Sequence, residues 1–424
     1  MFKAKEIFRG LTIMSVLLFW QNKIFAQVLT IDSVLNRIER YHPELQMYDA
    51  RIKAYDAYAK GARSLDPPQV GAGLFMAPYN TSMWKADAPG GSPGMGWFMV
   101  SAQQMINNPR KLNANATYMQ SMSNVEREMK GVTKNEMFSM AKMSYYEWQV
   151  MKKKLAILDE SEELLEFIIQ STEIRYTYGM DKLNAYYKAK AMLGDIQQMK
   201  IMTKTEIRQK MIALNTLMVR DKELVFDIDT MFIFKDYEFS VADTSVIADN
   251  RSDFKVLTQN VNLLKSKQLY ENSKRLPDFG VKYDHMFGFG NQPQQFSLMA
   301  MLTIPIAPWS SKMYTSTVIG LNYEIEGMKN QQQALLNDVS GLIQNIKSQI
   351  KYKKEQVSLY ETIIIPSMRK NYQAALLAYE QNTEELFMVL DAWQNLKITQ
   401  LGLVDQLNDL VQLQVQYEKQ LEIR

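Results

Sequence analysis

The chain of 424 residues contains no cysteine and only two histidines. Without cysteine, neither a disulfide framework nor a lipid attached through a cysteine is available. His42 and His285 lie far apart in the sequence, which leaves no cluster of cysteines and histidines to bind a metal. We therefore expect no metal site. The phosphate-binding pattern of glycines followed by Lys and Ser or Thr is also missing, so no energy source is recognisable.

Long apolar runs are absent outside the N-terminal region. There, three basic residues precede the apolar stretch Leu11–Trp20, and Ala26 offers a small residue for cleavage, which predicts a signal peptide over residues 1–26. The alternative is a membrane anchor, but the stretch has ten residues, whereas a spanning helix needs about 20. No later segment is apolar enough for a transmembrane helix, so entry into a membrane would have to be made by strands.

The net charge of the chain is also small. The chain carries +3 at pH 7, and its first 26 residues hold four basic residues and one acidic residue, which likewise give +3. The mature protein would therefore be close to neutral, and this argues against a nucleic-acid partner.

The two halves of the chain carry the same landmarks in the same order, about 200 residues apart. The matched pairs are His42-Pro43-Glu44-Leu45 with Arg251-Ser252-Asp253-Phe254, Leu65-Asp66-Pro67-Pro68 with Leu276-Pro277, Lys111 with Lys312, and the segments 175–179 with 378–382. So long a repeat predicts a duplicated domain and not a stack of short units. We expect the first repeat over residues 27–220, an inter-repeat segment over 221–240 and the second repeat over 241–424.

Each repeat predicts long helices. The predicted helices cover Thr30 to Arg63 (capped by Thr30 or Asp32), Leu112 to Tyr176, Asn184 to Leu217, a second long run ending near Pro366, and Glu384 to Leu421. Pro366 should break or kink its helix. Apolar residues recur at steps of three and four, which is the spacing of coiled coils. A helix of the length predicted after Leu112 would extend roughly 100 Å, so it must join an elongated bundle or pack against other subunits.

Four segments predict strands. Phe279–Phe289 and Phe296–Ile306 alternate apolar with mixed residues, and 70–76 and 96–105 do so more weakly. Segments of about ten residues with this alternation are typical of strands in outer-membrane barrels. In Phe279–Phe289 we predict that Tyr283 and Phe287 face lipid or the interface. Lys282 and Asp284 should then face a water-filled lumen. Four strands cannot close a barrel alone, which points to an assembly.

Several short motifs then resemble those of TolC-family outer-membrane efflux proteins. They are Leu29-Thr30-Ile31-Asp32-Ser33-Val34-Leu35 followed by His42-Pro43-Glu44-Leu45, Asn250-Arg251-Ser252-Asp253-Phe254 (with Ser252 where the family usually has proline), and Tyr379 through Val389-Leu390-Asp391-Ala392. The segment Ile304-Pro305-Ile306-Ala307-Pro308-Trp309 before Lys312 is similar to the heavy-metal-efflux branch. The resemblance covers essentially the whole mature chain.

The resemblance implies a fold that is mainly α with a small β membrane part. Three copies would each give four strands to one 12-stranded barrel in the outer membrane, and the long helices would form an α-helical periplasmic barrel. It implies a passive channel of a tripartite efflux system that exports small molecules or metal ions. Such a channel is not an enzyme, so we expect no catalytic or cofactor-binding site. The implied partners are a periplasmic adaptor, an inner-membrane pump of the RND type and outer-membrane lipid.

The resemblance also implies two functional regions in the helical part. The residues expected to contact the adaptor lie at two hairpin tips and are Tyr178, Gly179, Met180, Gln381, Asn382 and Thr383. The periplasmic aperture falls on Asp391, where three copies would form a ring of carboxylates; Met388 stands where the family has a second acidic residue. The plainer interpretation of Asp391 is a solvated helix residue that pairs with a neighbour such as Lys397.

Two other functions remain open at this point. One is the outer-membrane conduit of a type I protein secretion system, and the other is a coiled-coil envelope scaffold that forms no pore. The 29 methionines lie largely at helical spacing, which favours ordinary packing over metal binding. The cargo is not readable from the sequence, because the pump selects it.

Overall fold

The computed structural model describes residues 28–86, 91–180, 182–229, 235, 237 and 244–424. The predicted signal peptide, and much of the predicted inter-repeat segment, lie outside the described residues. The chain divides into two compact units. The first, here the helical unit, comprises Met1–His42, Lys134–Ala242 and Gly341–Arg424, and the second, here the sheet unit, comprises Pro43–Thr133 and Asp243–Ser340. Each unit therefore draws on both halves of the sequence.

Helices and strands follow one another in the predicted order. The first half has β1 (Val28–Leu29), α1 (Ile31–Tyr41), α2 (Pro43–Gly61), β2 (Gln69–Phe75), β3 (Trp97–Ile106), α3 (Pro109–Thr177) and α4 (Leu183–Leu217). The second half has β4 (Asp227–Ile228), α5 (Thr244–Asn250), α6 (Ser252–Ser273), β5 (Asp278–Gly288), β6 (Gln295–Thr303), α7 (Pro308–Leu359), α8 (Ile365–Glu380) and α9 (Leu386–Leu421). The described chain is mainly helical, as predicted.

The predicted single helix from Thr30 to Arg63 is wrong, because the structure has two helices there. His42 is extended, with φ −70° and ψ 123°, since the residue before a proline is disfavoured in the α region. Pro43 then begins α2, where its missing N–H costs nothing. The predicted cap of α1 is confirmed for Thr30, whose side-chain oxygen accepts a hydrogen bond from the Ser33 N–H at 3.4 Å.

Pro366 changes the helix without interrupting it. A π-helical turn, Tyr360–Ile364, joins α7 to α8, and Pro366 lies in the first turn of α8. Proline removes one backbone donor and crowds the preceding turn, and a π turn is a common way for a helix to accommodate such a defect. The predicted break is therefore a local widening of a continuous helical run.

The four long strands form one antiparallel sheet in the sheet unit, in the order β2-β3-β5-β6. Register pairs Ile106 of β3 with Phe279 of β5, and Asp278 of β5 with Thr303 of β6. The predicted extension of β6 to Ile306 is wrong, because the strand ends at Thr303 and Pro305 has no N–H to give to a ladder. Within the described residues, β2 and β6 are each paired on one side only.

Strand β5 has the predicted alternation. Its odd-numbered apolar side chains are exposed, including Tyr283 and Phe287, whereas Asp284 on the other face is 3% exposed. Gly280 lies on that second face, where a Cβ atom would come within 2.5 Å of the Met105 sulfur. One face therefore carries exposed apolar side chains and the other carries the buried Asp284. The contact of the first face with lipid, and of the second with a water-filled lumen, stays a prediction.

The helical unit is built on the predicted apolar spacing. Met137, Ala141, Trp148 and Leu158 of α3 are buried, and so are Ile343, Ile346 and Ile350 of α7. A larger core joins Leu165 of α3, Ile196 of α4 and Trp393 of α9. Among the described residues, the helices lack any apolar stretch long enough to cross a membrane.

A buried ion pair crosses this unit. The Lys142 ammonium of α3 lies 2.5 Å from the Glu418 carboxylate of α9, and the two side chains are 4% and 1% exposed. Lys142 also donates to the Ile423 carbonyl at 2.8 Å, and the Tyr237 hydroxyl donates to Glu418. Burial alone would raise the pKa of Glu418, but Lys142, Tyr237 and then Lys235 outweigh it, so the pKa lies below its usual range. The ionised Glu418 therefore contributes stability at neutral pH, and this contribution is lost as the pH falls through the folded-state pKa of Glu418. Burial also lowers the pKa of Lys142, against the pull of Glu418, and this offsets part of the gain.

Lys142→Met should lower the free energy of unfolding by about 3–5 kcal/mol, because it leaves a buried carboxylate without its counter-charge. A matched control is Lys134→Met, since Lys134 contacts Glu39 at 3.3 Å with the side chains 39% and 38% exposed, and exposed pairs contribute about 0–1 kcal/mol. Denaturant unfolding of the detergent-solubilised protein, followed by circular dichroism, measures both changes. Equal losses would contradict the importance assigned to the buried pair.

Candidate functional site

Two helix turns in the helical unit have the same backbone geometry. Gly179, between α3 and α4, has φ +71°, and Asn382, between α8 and α9, has φ +59°. The N–H of Met180 bonds to the Arg175 carbonyl, and the N–H of Thr383 bonds to the Ala378 carbonyl, each at 2.9 Å. This six-to-one hydrogen bond closes a helix end when the residue before it is left-handed, a conformation that glycine and asparagine tolerate. The structure thus places the predicted tip residues at equivalent positions of two helical hairpins.

The two tips contact each other through charged and aromatic groups. The Arg175 guanidinium donates to the Asn382 side-chain oxygen at 2.5 Å, and its central carbon lies 4.5 Å from the centre of the Tyr379 ring. Lys182 forms an ion pair with Glu385 at 2.7 Å. These contacts hold the left-handed residue of one tip against the last turn of the other, so the tips form one surface.

A cleft of about 320 Å³ lies between the tips. Its walls include Lys182, Asn184, Asn382, Thr383, Glu385 and Phe387. The Lys188 ammonium stacks over the exposed Phe387 ring, 3.4 Å from the ring centre. Tyr178 and Met180 are 76% and 64% exposed. The tip surface therefore combines accessible apolar side chains with charges of both signs, a composition suited to contact with another protein.

Sequence reasoning identified the turn residues but missed the residues that join the tips. Arg175, Lys182, Glu385 and Phe387 come from two segments about 200 residues apart, and no local pattern pairs them. One signal was present: Lys182 and Glu385 stand at similar distances after the matched turns and carry opposite charges.

The first turns of α9 carry the predicted aperture residues. Asp391 is exposed, and its carboxylate accepts a hydrogen bond from the Asn395 amide at 3.2 Å. Met388 is also exposed, so both side chains are accessible on the helix surface. Residues four apart lie on one face of a helix, which explains the contact between Asp391 and Asn395. A role in an aperture stays a prediction.

The suggested pairing of Asp391 with Lys397 is wrong. Lys397 is 6% exposed, and its ammonium lies 5.1 Å from the centre of the Trp393 ring. Burial lowers the pKa of Lys397, and the charge of Asp195 opposes this shift. Six residues along a helix amount to about 240° of rotation, so Lys397 points away from the face that carries Asp391.

The predicted lumen residues of β5 lie together in the sheet unit. The Lys282 ammonium lies 3.0 Å from the Asp284 carboxylate, and the side chains are 26% and 4% exposed. Because the two residues are two apart on a strand, they share one face. Within the part of the chain that the structure describes, no group of His, Asp and Glu side chains is arranged to hold a metal ion.

Comparison with known protein families finds a match in the first half of the chain. Residues 34–219 match the family described as outer membrane efflux protein. They carry the sequence pattern of that family. The matched segment includes β2, β3 and the first hairpin tip. Among curated proteins, none matches the sequence of this chain.

Solved structures of outer-membrane proteins have the same fold as this chain. VceC from Vibrio cholerae is 14% identical with a TM-score of 0.71, over 92% of this chain and 95% of that chain. The CmeC outer membrane channel of Campylobacter jejuni is 14% identical with a TM-score of 0.70, over 92% and 85%. The MtrE outer membrane channel of Neisseria gonorrhoeae, in its open state, is 8% identical with a TM-score of 0.71, over 92% and 88%. The shared fold therefore extends over both halves of the chain.

Gly179→Val should open the first tip, because a β-branched residue is strained at a φ of +71°. Gly179→Asn should keep it closed, since asparagine tolerates the left-handed conformation. Hydrogen exchange of the backbone from Arg175 to Met180 measures the opening, and we expect faster exchange in the valine variant alone. Equal exchange in the two variants would show that the backbone of Gly179 does not hold the turn.

Proposed function

We propose that the protein is a passive outer-membrane channel of a tripartite efflux system. The observation that carries this proposal is the four-stranded sheet whose outer strands, β2 and β6, are each paired on one side only within the described residues. Unpaired strand edges are not tolerated in lipid. Three copies joined edge to edge would form a closed 12-stranded barrel, of the kind that spans outer membranes. The fold shared with VceC, CmeC and MtrE supports this reading.

The duplicated sequence fits this assembly. Residues 27–220 supply β2, β3 and the first helical hairpin, and residues 241–424 supply β5, β6 and the second. The segment 221–240 joins the two repeats. Each repeat then contributes one strand hairpin to the barrel and one helical hairpin to a periplasmic tunnel. A signal peptide over residues 1–26 would direct export of the chain across the inner membrane, without attachment of a lipid to cysteine.

The proposed partners follow from the tip surface of the helical hairpins. The tip surface would contact a periplasmic adaptor, which couples the channel to an inner-membrane pump of the RND type. The cargo would be small molecules or metal ions, and the segment Ile304–Trp309 favours the heavy-metal branch of this family. The channel itself would do no chemistry. A Gly179→Val variant should then also export less cargo, even where trimers remain in the membrane.

A type I protein secretion conduit is the second candidate, because the same fold could serve it. Neighbouring genes separate the two: a proton-driven pump favours efflux, and an ATP-driven exporter beside a large secreted substrate favours protein export. A coiled-coil scaffold without a pore is the third candidate. Bilayer recordings separate it from both channels, since a scaffold conducts no ions.

Tyr283→Arg should impair membrane insertion by about 2–4 kcal/mol if Tyr283 faces lipid near the middle of the bilayer. Tyr283→Leu is the matched control and should insert normally. Lys282→Ala, on the other face, should mainly change ion selectivity. Heat-modifiable migration of outer-membrane fractions measures insertion, and reversal potentials measure selectivity. Normal insertion of Tyr283→Arg with a changed ion selectivity, together with unchanged selectivity in Lys282→Ala, would place the two faces the other way round.

Asp391→Ala should raise single-channel conductance or reduce block by divalent cations, because three Asp391 carboxylates around one axis would attract cations at a narrow aperture. Asn395→Ala is a useful control, since it removes the hydrogen bond to Asp391 but keeps the charge. Planar-bilayer recordings with a calcium titration measure both properties. Unchanged conductance and block in Asp391→Ala would make Asp391 an ordinary surface charge.

A further inference from the structure

One ion pair holds together the two strand hairpins at one end of the sheet. The Lys111 ammonium, in the first turn of α3, lies 2.6 Å from the carboxylate of Asp278, the first residue of β5. The other oxygen of this carboxylate accepts the Asn108 N–H at 2.9 Å, and the Asn108 amide donates to the Pro277 carbonyl at 3.3 Å. A lysine that follows one hairpin thus binds an acidic residue at the start of the next hairpin.

The other half of the repeat also carries a lysine and an acidic residue near the matching positions, although this acidic residue lies three residues before its strand and Asp278 is the first residue of β5. Lys312 matches Lys111, and it follows the hairpin formed by β5 and β6 as Lys111 follows the hairpin formed by β2 and β3. Asp66 precedes β2 and lies in the segment that matches Leu276-Pro277. Leu276-Pro277, in turn, directly precede Asp278. Both Lys312 and Asp66 are exposed. The structure shows neither side chain in an ion pair within the described ranges of the chain.

The topology prevents these two charges from meeting within one chain. Because neighbouring strands are antiparallel, the start of β2, the end of β3, the start of β5 and the end of β6 lie at the same end of the sheet. In the order β2-β3-β5-β6, Asp66 and Lys312 lie at opposite edges of that end. Three strand spacings separate the edges, which amounts to roughly 14 Å. The Gln104 amide also holds the Asp66 carbonyl against β3 at 2.8 Å.

We propose that Lys312 of one copy forms an ion pair with Asp66 of the next copy, across a junction between β6 and β2. This inference rests on the proposed trimer and adds to it the residues that close each junction. The junction between copies would then repeat the Lys111–Asp278 junction within the chain, with a lysine after one hairpin and an acidic residue before the next. Such a pair would favour one register of β6 on β2, because a slip moves the two charges apart.

The absence of native cysteines makes crosslinking a direct test. The variant Asp66→Cys/Lys312→Cys, extracted in mild detergent and treated with a short bis-maleimide, should give crosslinked dimers and trimers on a denaturing gel. The matched control is Lys111→Cys/Asp278→Cys. Because the reagent joins these two positions within one chain, this variant should stay monomeric on the same gel. Co-expression of the single variants Asp66→Cys and Lys312→Cys should give crosslinked dimers, whereas either single variant alone should give none.

Charge reversal tests the ion pair itself. Asp66→Lys should weaken the trimer, seen as a lower temperature of dissociation on native gels, and adding Lys312→Asp should restore it. A trimer that neither crosslinks nor responds to charge reversal would overturn this inference and leave the proposed channel intact. A wild-type protein that is monomeric on native gels would overturn the proposed function instead.

Discussion

Backbone hydrogen bonding at the two edges of the sheet is the constraint on which the rest of this structure depends. Strands β2 and β6 each present a row of N–H and C=O groups without a strand partner in the described chain. In water such edges invite aggregation, and in lipid each unsatisfied group costs several kcal/mol. Soluble proteins protect such edges with charged side chains, proline or bulges. In these edge strands, by contrast, the apolar side chains of Val70, Phe296 and Leu298 are exposed. Joining the edges of several copies, as proposed, would satisfy the backbone groups and cover the edges of the sheet together.

Charged side chains then add contacts between elements beyond those that backbone hydrogen bonds make. Lys111 and Asp278 fix one hairpin of the sheet unit to the other. Lys142 and Glu418 fix α3 to α9 in the helical unit, at a depth where neither charge is stable without the other. At the tips, Arg175 and Lys182 hold two helix turns together in exposed contacts, which are weaker. The helical unit therefore combines a strongly joined interior with weakly joined tips, which is compatible with the proposed docking of a partner at the tips.

Local patterns in the sequence predicted most of the fold. Steps of three and four identified α3 and α7, and alternation identified β5, because both periods are set by backbone geometry alone. The turn at Asn382 was predictable because few residue types tolerate its backbone. The two helices on either side of His42 were missed although Pro43 marks the break, since the apolar spacing runs on through it. Contacts such as Lys142–Glu418 and Arg175–Asn382 could not be predicted, because they join segments brought together only by tertiary folding.

The central claim is that a single chain is an incomplete channel and that copies of it complete the sheet. Native mass spectrometry of the protein released from outer-membrane extracts measures the number of copies directly. The account predicts one species with three times the mass of the mature chain, stable while the sheet is intact. A monomer as the main species in the same detergent would contradict it, because the edges of β2 and β6 would then need no partner.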